Sequence, residues 1–450
     1  MSRIRIIITI IVVVLTTLLT GCTGKEPNEI AYVVALGIDS TDDDNYKITI
    51  QYANTTQISG GASESGGKAG SEIVDNVTIE APNIYAGVGL ANNIVSKSFS
   101  MSHAKLIVFS KEIAEKGVKD MIETLVRSEE IRPDVFIAVA NTTANDYLTS
   151  VNPEMEVNPA QYYQLIYQKN QLVGIPDGQL REFFTGLYTD NYDSILPVAG
   201  VIEGAGGNSQ NDDKGQSKDG QNEGSEGSSE SLDSFESKSS DDKDENEKEK
   251  DAEKNTSKYE YDIKNYVGGE TAIEKKNKAE AIGAAVFEKD KMVGELGEVE
   301  TEICKMLKGD YTYSYLTYYN NDTPDIPITV KTTQQKKPKY KIDTVKKTVD
   351  IELYIESDLY SLPADYNVEN KIEDFERDVA NYTSSACTEF INNFTKKYNS
   401  DILKLNEKIK YKFLTNNQYN WFKKNVGWSE YKFSVCTNFK VRRTGLIVRE

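Results

Sequence analysis

The sequence predicts an α+β fold, in which groups of strands are separated by helices, and argues against a doubly wound parallel sheet. Both halves of the chain contain continuous or alternating apolar patterns that are typical of strands. One long apolar stripe at helical spacing separates the strands of the second half. At 450 residues the chain is too long for one ordinary core, which favours two or three domains.

The first half begins with a predicted β-hairpin. The continuous apolar run at residues 30–38 suits a buried strand. After an acidic turn at residues 42–45 the pattern alternates, and the apolar face of this second strand carries Tyr46, Ile48, Ile50 and Tyr52. The opposite face carries Lys47, Thr49 and Gln51, so we expect one covered and one polar face.

A β-α-β unit follows the hairpin. We expect a helix around residues 83–98, a strand at Lys105–Phe109, and Ser110 as the N-cap of a helix that continues to Leu125. A strand at Val135–Val139 completes the unit. Two further helical stretches are predicted at residues 144–150 and 159–170.

The second half opens with a hairpin and contains one long helix. Residues 281–287 and 292–296 form the hairpin, and a short helix at residues 297–307 follows. Strands are predicted at residues 349–355 and 431–441. The apolar stripe of the long helix, which we interpret as a core face, consists of Ile372, Phe375, Val379, Tyr382, Ala386, Phe390, Phe394 and Tyr398.

A polar segment divides the two halves. Residues 203–260 contain 18 acidic residues and eight lysines, a net charge of −10, with few large apolar side chains. Such a segment cannot bury enough surface to offset the entropy of ordering, so we predict a disordered acidic linker at residues 203–258. It separates an N-terminal region, 23–202, from a C-terminal region, 259–450. A Gly/Ser stretch at residues 59–71 predicts a flexible loop.

The N-terminus has the pattern of a lipoprotein signal peptide, residues 1–21. Two arginines precede a 14-residue, largely apolar stretch at residues 6–19. It ends in Leu19-Thr20-Gly21-Cys22, which resembles a bacterial lipobox. We therefore expect signal peptidase to recognise Leu19, Thr20 and Gly21, and Cys22 to carry a diacylglyceryl anchor in the bilayer. The alternative is an uncleaved anchor with an incidental cysteine.

Three cysteines remain after cleavage, namely Cys304, Cys387 and Cys436. Because the number is odd, at least one of them has no partner within the chain. We interpret each as a small buried hydrophobic residue. Four cysteines in 450 residues also cannot form a disulfide scaffold.

Composition and motifs exclude several classes of function. The net charge of −19 argues against nucleic acid as a partner, because nucleic acid is bound through clustered lysine and arginine. A single histidine leaves no histidine-based metal cluster, and neither a Walker A loop nor a Gly-x-Ser-x-Gly elbow is present. The sequence therefore assigns no catalytic residue, no metal ligand and no cofactor.

Four individual features leave two interpretations open. His103 could act as an acid or base, although a structural histidine at the start of a strand is the simpler reading. The lysine-rich run at residues 336–341 could meet phospholipid headgroups or an acidic partner, although a solvated edge is simpler. Trp421 and Trp428 fit core or domain-contact aromatics better than a ligand cage.

Several segments together carry a family resemblance. They are residues 28–39 ending in Gly37-Ile38-Asp39, residues 102–112 around His103, residues 127–134 and 285–294, and the C-terminal features Ser400-Asp401-Ile402, Trp421, Trp428 and Arg442-Arg443-Thr444-Gly445. In this order, and after a lipobox, they resemble the Ger(x)C family, the GerAC-type lipoprotein subunits of spore germinant receptors. Two features depart from the family pattern: the stretch Lys25–Glu29 and the long acidic segment.

The resemblance implies three α+β domains with mixed sheets, two before the acidic segment and one after it. It also implies a non-enzymatic protein on the outer face of the spore inner membrane. Such a C subunit assembles with membrane A and B subunits in nutrient-triggered germination.

Two other functions remain as alternatives. An extracytoplasmic solute-binding lipoprotein of a transporter would share the anchor, but it would have two α/β lobes around a cleft. An extracytoplasmic hydrolase would need a nucleophile with a positioned base, and the single histidine leaves little room for one.

Overall fold

The computed structural model describes residues 3–9, 29–43, 45–53, 74–152, 156, 158–168, 174–189, 192–202, 265–271, 278–319, 327–361 and 371–444. The lipobox at residues 19–22, the Gly/Ser stretch at residues 59–71 and the acidic segment at residues 203–258 lie outside these residues. The described parts of residues 1–205 and 264–450 form one compact unit.

The described residues form fourteen strands and ten α-helices. The strands are β1 (Ile30–Ser40), β2 (Tyr46–Ala53), β3 (Val74–Ala81), β4 (Ser98–Ser100), β5 (Leu106–Ser110), β6 (Phe136–Ala140), β7 (Ile195–Val201), β8 (Ala279–Glu288), β9 (Lys291–Leu296), β10 (Tyr313–Tyr319), β11 (Pro327–Gln334), β12 (Lys339–Asp343), β13 (Thr348–Ser361) and β14 (Lys432–Arg443). The helices are α1 (Ile84–Ala91), α2 (Lys111–Lys116), α3 (Lys119–Val126), α4 (Ala144–Ser150), α5 (Pro159–Gln168), α6 (Leu180–Thr189), α7 (Glu298–Lys308), α8 (Ile372–Tyr398), α9 (Leu405–Ile409) and α10 (Asn416–Asn425). Residues 3–9 form a further short helical segment.

The first sheet has nine strands in the order β3-β2-β1-β5-β6-β7-β8-β9, with the short β4 paired to the start of β1. Strands β1, β5, β6 and β7 run parallel, and the outer strands pair antiparallel. The sheet is therefore mixed, as predicted. Among the described residues a second, five-stranded sheet is also present.

Both faces of the first sheet are covered, which explains why β1 reads as a continuous apolar run. Leu36 and Ile38 pack with α1, α2, α3 and α6 on one face. Val34 and Ala35 pack with α4 and α5 on the other. The predicted buried strand is thus confirmed, and its central residues are at most 1% exposed.

Strand β2 is more buried than its alternating pattern predicts. Thr49 and Gln51, which were expected on a polar face, are fully buried. The Gln51 amide donates to the carbonyl of Leu148 at 2.9 Å, and the hydroxyl of Tyr163 donates to the Gln51 side-chain oxygen. The polar side chains therefore supply the hydrogen bonds that α4 and α5 need when they cover this face.

The second sheet is built around the long strand β13. Strands β11 and β12 share one edge of β13, β14 runs parallel along the other edge, and β10 extends the sheet beyond β11. One face carries Val349, Ile351 and Leu353 into a core with α7 and α8. The opposite face of β14 alternates outward, with exposed residues at every second position.

Helix α8 confirms the predicted apolar stripe. Its residues Phe375, Val379, Phe390 and Phe394 are all buried against the second sheet or its neighbours. Acidic residues in its first turn and lysines in its last turn complement the helix dipole. The helix ends at Asn399, whose φ of 47° is a left-handed conformation that asparagine tolerates.

The first sheet runs across the predicted division of the chain. Strands β8 and β9 follow the acidic segment in sequence, yet β8 pairs with β7 and thereby extends the N-terminal sheet. Gly200 of β7 lies so close to Gly268 that a Cβ on Gly200 would overlap the Gly268 backbone. The chain therefore moves to the second sheet only after β9, through α7.

Several element boundaries differ from the sequence predictions for local reasons. The helix expected at residues 83–98 ends at Ala91. The helix expected up to Leu125 is broken at Gly117, whose φ of 123° no α-helix contains. Helices α6, α9 and α10 and strands β3, β4, β7, β10, β11 and β12 were not predicted, because their apolar patterns are short or are interrupted by polar residues or, in β7, by Pro197 and Gly200.

Candidate functional site

The predicted lipid attachment site lies outside the described residues. Nothing structural is therefore known of Leu19, Thr20, Gly21 or Cys22, and they stay predictions. Within the described ranges, no helix is both long enough and apolar enough to cross a bilayer. The first described strand, β1, begins eight residues after Cys22.

His103 is an exposed residue just before β5. Its ring packs edge-on against Tyr32 at a centroid distance of 4.9 Å, and its Nδ1 lies 3.0 Å from the hydroxyl of Ser102. It borders a groove of about 360 Å³ together with Lys105 and the glutamines of α5. The contacts are those of a surface histidine held by its neighbours, in line with the structural interpretation.

Asp39, the last residue of the Gly-Ile-Asp segment, anchors α4 to β1. Its buried carboxylate accepts hydrogen bonds from the backbone N–H groups of Ala144 at 2.6 Å and Asn145 at 3.0 Å. A carboxylate at the start of α4 accepts from backbone N–H groups that have no partner within the helix, and its negative charge complements the helix dipole. Burial raises the pKa of Asp39, and the two backbone hydrogen bonds oppose that rise.

Asp401 plays the matching part in the second half. Its buried carboxylate accepts from the backbone N–H groups of Leu405 at 2.7 Å and Asn406 at 2.8 Å, and so fixes the start of α9. Burial raises the pKa of Asp401 to about 7, against the lowering effect of these two hydrogen bonds. The backbone N–H of Asp401 also donates to the Asp193 carboxylate at 2.9 Å.

The contact between Asp193 and Asp401 belongs to a junction that joins the two sheets. Lys404 forms an ion pair with Glu182 of α6, and its ammonium lies 4.2 Å from the ring centroid of Tyr192. The backbone N–H of Asp193 returns a hydrogen bond to the Asp401 carbonyl at 3.2 Å. The Ser400-Asp401-Ile402 segment thus positions one sheet on the other.

A second contact joins the sheets through α7. The ammonium of the buried Lys305 donates to the carbonyl of Ile175 at 3.0 Å. Burial lowers the pKa of Lys305 to about 8. On the same helix burial raises the pKa of Glu302 to about 7, although the hydroxyl of Ser314 donates to its carboxylate at 2.6 Å. These buried ionisable groups form hydrogen bonds that connect α7 to neighbouring elements of the fold.

The remaining cysteines and tryptophans divide into buried and exposed members. Cys304 and Cys387 are buried and free, as expected, whereas Cys436 is free but exposed. The prediction that Cys436 is buried is wrong, because Val435 and Thr437 of β14 face the core and Cys436 between them points to solvent. Trp428 is 4% exposed and packs on Tyr431, but Trp421 is 64% exposed, so the core interpretation is wrong for Trp421.

The roles of Asp39 and Asp401 are what sequence reasoning missed. Both residues were noted only as parts of similar segments. Asp39 meets its partner Ala144 across 105 positions, and no local pattern marks that pairing. Among the residues that the structure describes, no group of histidine, cysteine, aspartate and glutamate has the arrangement of a metal site.

Two family models match the chain in order. The first, described as "Spore germination protein N-terminal domain", covers residues 24–201. The second, described as "Spore germination B3/ GerAC like, C-terminal", covers residues 282–445. The acidic segment at residues 203–258 lies between the two matched ranges, and β8 lies at their boundary.

Similar proteins come from Bacillus. "Spore germination protein KC" of Bacillus subtilis (strain 168) is 26% identical over 176 residues, which are 36% of this chain and 43% of that protein. "Putative spore germination protein YfkR" of the same strain is 28% identical over 145 residues, 32% of this chain and 37% of the relative. The chain thus spans less than half the length of these relatives.

One solved structure is also similar. It is described as "Crystal Structure of the GerBC protein", with 15% sequence identity and a TM-score of 0.48 over 90% of this chain and 96% of that chain. The two family models together take in the sheets, the helix α8 and the Asp39 and Asp401 anchors. The chain therefore belongs to the Ger(x)C family of spore germination proteins.

Proposed function

We propose that this protein is the lipid-anchored C subunit of a spore germinant receptor. It acts by assembly with membrane A and B subunits in nutrient-triggered spore germination, without enzymatic chemistry and without a cofactor. The observation that carries this proposal is the ordered match of both family models on either side of the acidic segment. The printed names of the relatives, which are spore germination proteins, support the same process.

The proposed location is the outer face of the spore inner membrane. The support is the lipobox, in which Cys22 follows a basic and then an apolar stretch in the order of a lipoprotein signal peptide. A diacylglyceryl group with a further acyl chain such as palmitate would anchor the protein stably, because two chains suffice where one is marginal.

Replacement of Cys22 tests the anchored-receptor proposal. The Cys22→Ala variant is expected to lose label from radioactive palmitate, to leave the spore membrane fraction, and to slow nutrient-triggered germination. The matched control is Cys436→Ser, which removes an exposed thiol outside the lipobox and should leave labelling, location and germination unchanged. Normal nutrient germination with the variant still membrane-bound would contradict the anchor.

The solute-binding alternative predicts a different result. It expects tight binding of a small nutrient to the protein alone, measurable by calorimetry in the absence of A and B subunits. The proposed receptor subunit needs no such affinity, because its role is contact with other proteins.

A further inference from the structure

One corner of the second sheet is basic although the chain as a whole is acidic. The basic corner comprises residues 336–347, which span β12 and its two turns, and residues 404–424, which span α9 and most of α10. These two segments hold twelve lysines and two acidic residues, a net charge of +10 in a chain of net charge −19. Three of the lysines form ion pairs with glutamates on neighbouring elements, which leaves a net charge of +7. The excess of lysine is therefore local.

The two basic segments are adjacent in space. The ammonium of Lys412 donates a hydrogen bond to the carbonyl of Ile342 on β12. The ammonium of Lys408 lies 4.6 Å from the ring centroid of Tyr340 on the same strand. The basic corner is thus one continuous surface made of the β12–β13 hairpin and the α9–α10 connection.

Among the described residues of the second half, the basic corner also carries the most exposed apolar side chains. Leu414 is 93% exposed, Val345 at the hairpin turn is 90% exposed and Tyr411 is 81% exposed. Trp421 is 64% exposed beside an open groove of about 520 Å³. Burying such side chains is favourable, and large apolar tips that stand in solvent mark contact sites.

We propose that the basic corner docks onto the surface of an anionic phospholipid bilayer. Lysines attract anionic headgroups, while tryptophan, tyrosine and leucine settle at the boundary of headgroups and acyl chains. The apolar tips protrude from turns and from the α9–α10 connection rather than lining a deep cleft, which suits a soft planar surface. Each lysine near an anionic surface contributes about a five-fold factor in binding.

The position of the basic corner agrees with a membrane-proximal edge. Strands β1 and β7 run parallel with two strands between them, so both begin at the same end of the sheet. Ile195 is level with Ala35, and Ile30 lies five residues further out, roughly 22 Å from Ile195. Just before β7, the carbonyl of Thr189 accepts from the Lys423 ammonium at 3.3 Å, and Tyr192 meets Lys404. The α9–α10 segment therefore lies at the end of the first sheet where β1 and β7 begin.

The chain can reach one bilayer with both the anchor and the basic corner. Ile30 is eight positions after Cys22, and a chain of that length spans at most roughly 28 Å. This reach argument rests on the lipid anchor proposed above, whereas the basic corner itself does not. Docking would hold the second sheet at the membrane in one orientation, where a tether alone would leave it free to turn.

Vesicle binding by the lipid-free chain separates this proposal from the anchor. The chain from Lys25 onward lacks Cys22 and the apolar stretch, and the described hydrophobic clusters contain no residue before Ala31. We expect it to sediment with phosphatidylcholine vesicles that contain phosphatidylglycerol, and not with phosphatidylcholine alone. Raising the salt from about 0.1 M to about 1 M should release it, because the screening length falls from about 10 Å to about 3 Å.

Variants of the basic corner should weaken vesicle binding selectively. The double variant Lys410→Glu/Lys424→Glu is expected to bind at least about 25-fold more weakly, at a five-fold factor for each lysine. Leu414→Ser should weaken binding as well. The matched controls are Lys119→Glu, at an exposed residue at the start of α3, and Tyr360→Ser, which is 60% exposed at the far end of β13. Both controls should bind as the parent does.

Tryptophan fluorescence reports on insertion directly. The chain has two tryptophans, and Trp428 is buried, so brominated lipid should quench Trp421 and the quenching should vanish in Trp421→Phe. Equal binding to neutral and anionic vesicles, or full binding by the double lysine variant, would overturn the proposal. A dimer of the lipid-free chain that Leu414→Ser dissociates would also overturn it, in favour of a second copy on this surface.

Discussion

The two sheets differ in how many of their faces are covered. Helices pack on both faces of the nine-stranded sheet, and its central strands are buried throughout. The five-stranded sheet is covered on one face by α7 and α8, while the other face of β14 meets solvent. On that open face polar pairs join β13 to β14, such as Asp350 with Ser434 and Glu352 with Asn438.

Because their faces are covered differently, the two sheets are expected to have different roles. A sheet covered on both faces has little surface left for a partner, so the first sheet is expected to serve as a rigid body after the proposed lipid anchor. The second sheet keeps an open polar face and carries the basic corner. We therefore expect substitutions in the first sheet to change stability, and substitutions on the open side of the second sheet to change contacts.

The largest expected effect is on the stability of the first sheet. Phe109 of β5 is fully buried, so Phe109→Ala should lower the free energy of unfolding by about 3–5 kcal/mol through lost burial and a cavity. Cys436→Ser on the open face of β14 should change it by less than about 0.5 kcal/mol. Urea unfolding followed by circular dichroism measures both, and equal effects would contradict the comparison.

The pH dependence of stability tests the junction between the sheets. The pKa of Asp401 is about 7 in the folded protein and 3.8 for the ordinary carboxyl, so between these values the folded state holds a proton that the unfolded state has lost. The free energy of unfolding should therefore fall as the pH rises from about 4 to about 7, and this contribution should level off above that.

The Asp401→Asn variant isolates this contribution, since its amide does not titrate. Urea unfolding at a series of pH values should give a shallower fall for Asp401→Asn than for the parent across the same window. The matched control is Glu288→Gln, at the exposed last residue of β8. Parallel curves for Asp401→Asn and the parent would contradict the contribution of Asp401 to this pH dependence.

Two glycine substitutions test whether the chain that follows the acidic segment packs against β7. Gly200→Ala would push β7 against the backbone of Gly268, so it should lower the free energy of unfolding by about 1–3 kcal/mol. Gly89 on the exposed side of α1 has nothing within 4 Å of its Cβ position, so Gly89→Ala should raise the free energy of unfolding by up to about 1 kcal/mol. A stabilising Gly200→Ala would show that residue 268 lies elsewhere.

The smallest expected effect belongs to the ion pair between Glu182 and Lys404. Their side chains are 41% and 27% exposed, so solvent screens much of the attraction. A double-mutant cycle of Glu182→Gln and Lys404→Gln should give a coupling energy of about 0.5–1 kcal/mol, read from urea unfolding. A coupling near zero would mean that the Asp193–Asp401 hydrogen bonds hold the junction without this pair.

The sequence predicted those elements whose patterns are long and regular. β1 and α8 were predicted because burial on both faces, or along one helical stripe, leaves a sustained apolar signal. β11 and β12 were missed because their sequences are rich in threonine, lysine and glutamine. The same reasoning could not foresee that β8 joins β7, since nothing local in either strand records its partner.

The candidate sites divide along the same line. Cys22 was predicted from a linear pattern, and that prediction still awaits a direct test. The anchors at Asp39 and Asp401 depend on partners brought together by the fold, so they became visible only in the structure. The exposed Trp421 contradicted the expectation of a core aromatic, because the face of α10 that carries Trp421 points to solvent.

Co-purification tests receptor membership most directly. The chain, tagged at its C-terminus, would be solubilised from spore membranes with mild detergent and its partners identified by mass spectrometry. The account predicts that A and B receptor subunits co-purify with it, in the parent and in Cys436→Ser alike. Recovery of the tagged chain without A and B subunits, from membranes that contain them, would contradict the proposed function.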